Sequence, residues 1–304
     1  MPKKLKNTAF HPDIAFCGSG LDFCEHERSK EELDAMLKLK TSKTLLLHNG
    51  QIGLDTNAKL RMIYPQDLIG TNIADPGPIF LGKKDGQAIF AASLQLPEFK
   101  DTHFTELRNI AAQIEADQLA IAGAAKSYFD WHFKNRYCSN CGHYAPTFKG
   151  GVMRRCENCG TEHFPRVNPV AIMMVIDGDR CLLGRGHDWP EGHFSALAGF
   201  ASPGESLEET CIREVFEETG IDVANPKYTF SQPWPFPAQL MCGFICEAKT
   251  TKINVNIKEL EEARWFTRQQ VKDVFDNKSE VFKRPPRFTI AHQLLRYWLA
   301  QENE

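Results

Sequence analysis

No stretch of the 304-residue sequence approaches the run of roughly 20 apolar residues that a membrane-spanning helix needs. There is no low-complexity tract and no internal repeat, so neither linker-like disorder nor a solenoid is expected. Charge of one sign is not in excess. The 36 Lys and Arg stand against 39 Asp and Glu, and a net charge of −3 gives no support for a general nucleic-acid binder held by phosphate contacts. No apolar core follows the three lysines of MPKKLKNTAFHPD, so a secretory leader is not expected, although the basic start leaves an organellar address open. The last residues, AQENE, are not a peroxisomal tripeptide signal. What is present, 42% hydrophobic and 25% charged residues, is the composition of a globular protein long enough for two or three modules.

The 10 cysteines are unevenly spread. Cys138, Cys141, Cys156 and Cys159 form two CxxC pairs, each followed by a glycine, Gly142 and Gly160. That pattern builds two tight knuckles around one ion, and four thiolates favour tetrahedral Zn²⁺ with no position left for water. A structural zinc ribbon is therefore expected, with His143 and His163 spare. Two disulfides, a redox dithiol and a nucleic-acid-binding ribbon are the competing readings. The other cysteines fall mostly in apolar segments, which fits a reducing compartment and a cytoplasmic location.

Along the chain, residues 30–39 read as a short helix, 44–54 as a hairpin around Asn49-Gly50, and 88–94 as a strand. From 105 to about 135 apolar residues recur at helical spacing (Leu107, Ile110, Ile114, Ile121, Ala125, Phe129, Phe133), interrupted by Gly123. After Pro165 the order is strand (169–177), turn, strand (180–185), an acidic helix, strands near 227–231 and 239–248, and a last helix over 288–300. The expected class is α+β with a mixed sheet in the catalytic module.

The acidic segment, GFASPGESLEETCIREVFEETGI, holds Glu205, Glu208, Glu209, Glu214, Glu217 and Glu218, with Asp222 just beyond and only Arg213 to offset them. Ser206 and Glu209 make a capping box and Gly220 stands at a C-cap position, predicting a helix over 207–219. Leu207, Cys211, Ile212 and Val215 would form its buried stripe. Glu214, Glu217 and Glu218 then share one edge, where three carboxylates repel unless a divalent cation, Mg²⁺ or Mn²⁺, joins them.

Gly199, Glu205, Arg213-Glu214, Glu217-Glu218 and Gly220-Ile221 fill every fixed position of the pattern G-x5-E-x7-R-E-U-x-E-E-x-G-U, where U is aliphatic. The segment thus resembles the Nudix box of enzymes that cleave a nucleoside diphosphate linked to another group. The resemblance implies Glu214, Glu217 and Glu218 as catalytic residues and metal ligands, and a Glu205–Arg213 pair that holds the loop. Which glutamate deprotonates the water stays open.

Downstream, SQPWPFPAQ (231–239) alternates Pro233, Pro235 and Pro237 with Trp234 and Phe236. Fixed proline φ values make a stiff segment displaying two rings suited to stacking on a base or nicotinamide, unless the rings are simply core anchors. Ribbon, box and SQPWPFP together resemble the NADH pyrophosphatase (NudC-type) family, across roughly residues 136–265. The family tag ends in Ser where this chain has Gln239, a departure that leaves the aromatic framework intact.

The resemblance implies hydrolysis of NADH, and less well NAD⁺, to nicotinamide mononucleotide and AMP, with removal of NAD caps from RNA in some relatives. It implies a homodimer in which Phe200 of one chain and Trp234 of the other stack on the ring. Phe236, Gln232 and Gln239 are further candidate substrate contacts. One more metal carboxylate is expected from KELEEARWF (258–266), Glu259 first and Glu262 second. The expected organisation is an α/β companion domain over 1–135, the ribbon over 136–165 and a Nudix α/β/α sandwich over 166–304. The alternatives are a hydrolase for ADP-ribose or diadenosine polyphosphates, or a nucleic-acid-binding regulator with an idle box.

Overall fold

The computed structural model of the chain describes residues 13–301; the N-terminal lysines and the last three residues lie outside them. The described residues fall into two compact units. One holds Ala15–Val167 with Pro233–Gln239, and the other Asn168–Gln232 with the chain from Leu240 onward and the segment ending at Ile14.

In the first unit, helix α1 (Lys30–Lys38) begins at a Ser29–Glu32 capping box. Strands β1 (Lys43–His48) and β2 (Gln51–Leu54) form the expected hairpin, pairing Leu47 with Ile52. Asn49 (φ 49°) and Gly50 (φ 77°) both sit in the left-handed region that such a tight turn requires. With β3 (Met62–Ile63), β4 (Ile79–Lys84), β5 (Gln87–Leu94) and β6 (His103–Thr105) they make a six-stranded sheet in which β4-β5-β1-β2-β6 are neighbours and β3 joins β1. Only β1 and β5 pair in parallel among these, so the sheet is mixed. Leu45, Leu46 and Leu47 are all fully buried, the mark of a strand covered on both faces.

The single helix expected over 105–135 is two helices, α2 (Leu107–Ile110) and α3 (Ala116–Lys134). Apolar spacing does not report chain direction, and the extended backbone of Glu115 (φ −59°, ψ 146°) restarts the helix after a turn. Gly123 does not interrupt α3. It lies inside it, where a Cβ would meet Phe16 at 3.2 Å and Pro235 at 3.3 Å. The ribbon follows as three short strands, β7 (Thr147–Phe148), β8 (Met153–Arg155) and β9 (Glu162–His163).

Arg154, fully buried, fastens the ribbon to α3. Its guanidinium donates to Asp75 Oδ2 (2.6 Å), Ala145 O (2.7 Å) and His132 Nδ1 (3.0 Å). Because arginine only donates, His132 carries its proton on Nε2, which donates to Gly151 O at 2.6 Å. Burial holds the His132 pKa down at about 4.

The second unit is a sheet covered by helices on both faces. Its strands are β10 (Asn168–Asp177), β11 (Arg180–Arg185), β12 (Leu197–Phe200), β13 (Val223–Trp234) and β14 (Gln239–Ala248) apart from their ends within 233–239, and β15 (Glu262–Thr267). The order is β13-β14-β10-β11-β15, with β12 on β10. Side chains alternate as a strand dictates. Ala171, Met173 and Val175 face helix α4 (Leu207–Thr219) through Cys211 and Val215. Ile172 and Met174 face α5 (Arg268–Phe275) and α6 (Ile290–Ala300) through Val271, Leu294 and Trp298. The last helix starts at 290, two residues after its expected start, because Thr289 caps it by accepting from His292 N. Ile212 departs from the expected stripe of α4 and is 43% exposed. At about 100° per residue, the face centred on Cys211, Val215 and Glu218 turns Ile212 outward. Among the described residues, no helix is long and apolar enough to cross a membrane.

Candidate active site

The four ribbon cysteines lie together, their sulfurs all within 4.8 Å of one another. Neighbouring Sγ atoms stand 3.4–3.6 Å apart, close to the ~3.8 Å edge of a tetrahedron with zinc–sulfur bonds near 2.3 Å. All four thiols are free, so no disulfide competes for them. Thr161 Oγ1, 3.1 Å from Cys159 Sγ, leads the contacts that hold that thiol's pKa down at about 5. His163 Nε2 lies 3.3 Å from Cys138 Sγ and is not needed as a ligand. Donor set and spacing fit zinc.

In the second unit, Ser206 and Glu209 close their capping box reciprocally, at 2.8 and 3.2 Å, and Gly220 ends α4 in the left-handed conformation (φ 66°). The helix therefore spans the predicted residues, and its orientation follows from the loop before it. Glu205 accepts from Ser202 N (2.9 Å), Thr210 Oγ1 (3.2 Å) and Arg213 Nε (2.5 Å) and Nη2 (2.9 Å). The Arg213 hydrogen bond leads the contacts that pull the Glu205 pKa down to about 2. Arg213 also donates to Phe200 O (3.0 Å), Glu214 Oε1 (2.8 Å) and Glu217 Oε2 (2.9 Å). With those contacts its guanidinium is a brace joining loop and helix.

Glu214, Glu218 and Glu259 bring carboxylate oxygens within 4.8 Å of one another. Glu217 turns to Arg213 instead. Of the two downstream candidates, Glu259 joins the cluster, whereas Glu262 pairs with Arg264 and, at 3.8 Å, with Arg185. Glu218 is only 8% exposed and its Oε2 has no hydrogen-bond partner. Burial first, then the charges of Glu214 and Glu259, raise its pKa to about 8. Gly199, opposite Ala171 in the β10–β12 pairing, lies under Glu214, and a Cβ there would stand 1.9 Å from the carboxylate carbon. Hard oxygen donors converging around an orphaned buried carboxylate oxygen fit a divalent cation such as Mg²⁺ or Mn²⁺.

Phe200 projects from the end of β12 and is 52% exposed. Trp234 and Phe236 belong to the first unit. Their rings meet edge-on with centroids 5.1 Å apart, both pack against Phe16, and Arg108 lies over both. Gln232 is fully buried, with its amide spent on Phe288 O (2.9 Å) and Ile290 N (2.8 Å), and Gln239 is partly exposed at the start of β14. Phe16 and Arg108 escaped the sequence reading because each is a lone residue far along the chain from the segment it touches.

Comparison with known proteins agrees with this architecture. Residues 166–285 match the NUDIX domain, and residues 41–131 match the NADH pyrophosphatase-like rudimentary NUDIX domain. The human NAD-capped RNA hydrolase NUDT12 is 42% identical over 198 residues, covering 62% of this chain and 43% of that protein. The chain thus spans less than half the length of that relative. The human mitochondrial NAD(P)H pyrophosphatase NUDT13 is 36% identical over 233 residues, 72% of this chain and 66% of that protein. The NAD-capped RNA hydrolase NudC of Stutzerimonas stutzeri (strain A1501) is 36% identical over 222 residues, 73% of this chain and 77% of that protein. With both halves matched in this order, the chain belongs to the NADH pyrophosphatase (NudC-type) family of Nudix hydrolases.

Proposed function

We propose that the protein hydrolyses the pyrophosphate bond of NADH and NAD⁺, releasing reduced or oxidised nicotinamide mononucleotide and AMP, and removes NAD caps from RNA. The observation that carries this reading is the Glu214–Glu218–Glu259 cluster, with its buried, unpartnered Glu218 oxygen, in a chain of this family. Glu214, Glu218 and Glu259 would hold Mg²⁺ or Mn²⁺, with Glu217 nearby. The ions, when bound, neutralise phosphate oxygens and lower the pKa of water.

The chain's own residues do the rest. Arg213 spends its N–H groups on Glu205, Glu214, Glu217 and the Phe200 carbonyl, so it sets the carboxylates in place and leaves phosphate to the site they form. Gly199 keeps the floor beneath Glu214 clear. Phe200 offers an exposed ring for stacking on a base or nicotinamide. Water then attacks one phosphorus and gives up a proton to solvent, the bridging P–O bond breaks, and the leaving phosphate takes the bond electrons, so that two phosphate monoesters result.

The organisation we propose is a companion domain over 1–135, a zinc ribbon over 136–165 and the hydrolase domain over 166–304. Ten free thiols suit a reducing compartment, and we assign the cytoplasm. The working form is a homodimer, with Trp234 of one protomer and Phe200 of its partner stacking on opposite faces of the ring.

The test is side-by-side turnover of NADH, NAD⁺, NAD-capped RNA and ADP-ribose with Mg²⁺ or Mn²⁺. Release of AMP from NADH supports the proposal. Cleavage of ADP-ribose with the dinucleotides untouched would replace it. For the shared site, Trp234→Ala mixed with Glu218→Gln should regain activity once subunit exchange is verified, because one site of each mixed dimer is whole.

A further inference from the structure

Glu259 is the only member of the carboxylate cluster that does not sit on α4. It lies on an irregular stretch between β14 and β15, where no regular element fixes its position.

Two backbone hydrogen bonds tie that stretch to the end of α4. Asn254 N donates to Thr219 O at 2.8 Å and Asn256 N to Glu218 O at 2.9 Å, satisfying two carbonyls that the last helical turn leaves open. Asn256 then shapes the turn that follows. Its Oδ1 accepts from Lys258 N (3.2 Å), and its carbonyl accepts from Glu259 N and Leu260 N, both at 3.0 Å. Its Nδ2 donates to Glu259 Oε1 at 3.2 Å. Beyond it, His187 Nε2 donates to Ile257 O at 2.7 Å and braces the outer side of the turn. One residue thus touches the carbonyl of Glu218 through its backbone and sets the turn that presents Glu259 through its side chain.

We propose that Asn256 is a positioning residue for Glu259, acting through the turn closed by its side-chain oxygen. The proposal rests on the reading of this cluster as a divalent-cation site. Asn256→Ala removes the turn oxygen. Asn256→Gln keeps an amide but moves its oxygen one methylene away from Lys258 N. Asn256→Ser keeps an uncharged acceptor that can close the same turn and loses the Nδ2 donor.

The experiment measures Mn²⁺ affinity of the full chain by electron paramagnetic resonance of the free ion, together with kcat and KM for NADH. Asn256→Ala and Asn256→Gln should each bind Mn²⁺ about tenfold or more weakly, the usual loss for a residue that orients a ligand. Their kcat should fall in parallel while KM stays near wild type. Asn256→Ser should regain part of both. In a Glu259→Gln background, Asn256→Ala should cost little more, because a residue that acts only through another adds nothing once that partner is gone. Wild-type Mn²⁺ affinity in Asn256→Ala, an Asn256→Ser variant as weak as alanine, or the full alanine penalty in Glu259→Gln would each overturn the proposal. The Mn²⁺ measurement stands apart from substrate. A wild-type protein that binds Mn²⁺ but leaves NADH intact would refute the proposed reaction and leave the role of Asn256 to the affinity series.

Discussion

Substituting Gly199 by alanine tests whether the position of the Glu214 carboxylate is the quantity that the loop before α4 controls. The added Cβ would stand 1.9 Å from Glu214 Cδ and 2.2 and 2.3 Å from its two oxygens. Carbon atoms in ordinary contact sit about 3.5 Å apart or more, so the carboxylate has to retreat by roughly 1.5 Å. The backbone is no obstacle, since Gly199 lies in a strand paired with Ala171. The obstructing atoms are the far end of a flexible side chain, so the side chain yields and the fold stays. A misplacement of about 1 Å at a reacting centre costs on the order of a hundredfold. Gly199→Ala should therefore lower kcat by about a hundredfold and weaken Mn²⁺ binding, with a thermal melt in chelator close to that of wild type. The assay is NADH turnover over a Mn²⁺ titration, with Glu214→Ala and the double variant alongside. The double should be no worse than Glu214→Ala alone. Turnover within threefold of wild type in Gly199→Ala would show that Glu214 is not the group the bare glycine serves.

Glu218→Gln should keep the fold and reduce turnover at least about a hundredfold, the low end for a positioned catalytic group; near-normal turnover at saturating Mg²⁺ would remove Glu218 from the machinery. Cys156→Ser should release the ribbon metal and lower the melting temperature, because structural zinc binding is coupled to folding; elemental analysis finding no zinc in the wild-type protein would end that reading. His132 supplies a pH dependence. Burial lowers its pKa from 6.5 to about 4 in the folded chain, so the unfolded chain binds the extra proton between those values and stability is lost as pH falls through that window. The loss approaches roughly 3 kcal/mol at pH 4 by denaturant titration, and His132→Gln should flatten it; an unchanged pH profile in that variant would refute the assignment.

Some of this protein was written within short windows of its sequence. The helix over 207–219 was legible because its start and stop are chemical events between near neighbours, the Ser206–Glu209 box and the left-handed Gly220. The hairpin at Asn49-Gly50 and each CxxC knuckle were legible for the same reason, since each depends on a turn of a few residues. Periodicity alone carried less. It ran α2 and α3 together across the turn at 111–115, and it set Ile212 in a stripe that the sheet beneath α4 does not reach. What the sequence could not hold was any pairing across long separations. Glu259 meets Glu218 only because the segment after β14 returns to cap α4, and Arg154 meets Asp75 and His132 only because the ribbon packs on α3. Spacing on one helix put Glu217 beside Glu214 and Glu218, and the family resemblance added Glu259; in the fold Glu217 Oε2 pairs with Arg213, and the oxygens within 4.8 Å of one another are those of Glu214, Glu218 and Glu259. Capping and turn formation are local competitions for backbone hydrogen bonds, decided by residues three or four apart. A metal-ready cluster is a matter of which buried charges the tertiary structure forces together, and its cost and its reactivity exist only once water has been excluded around them.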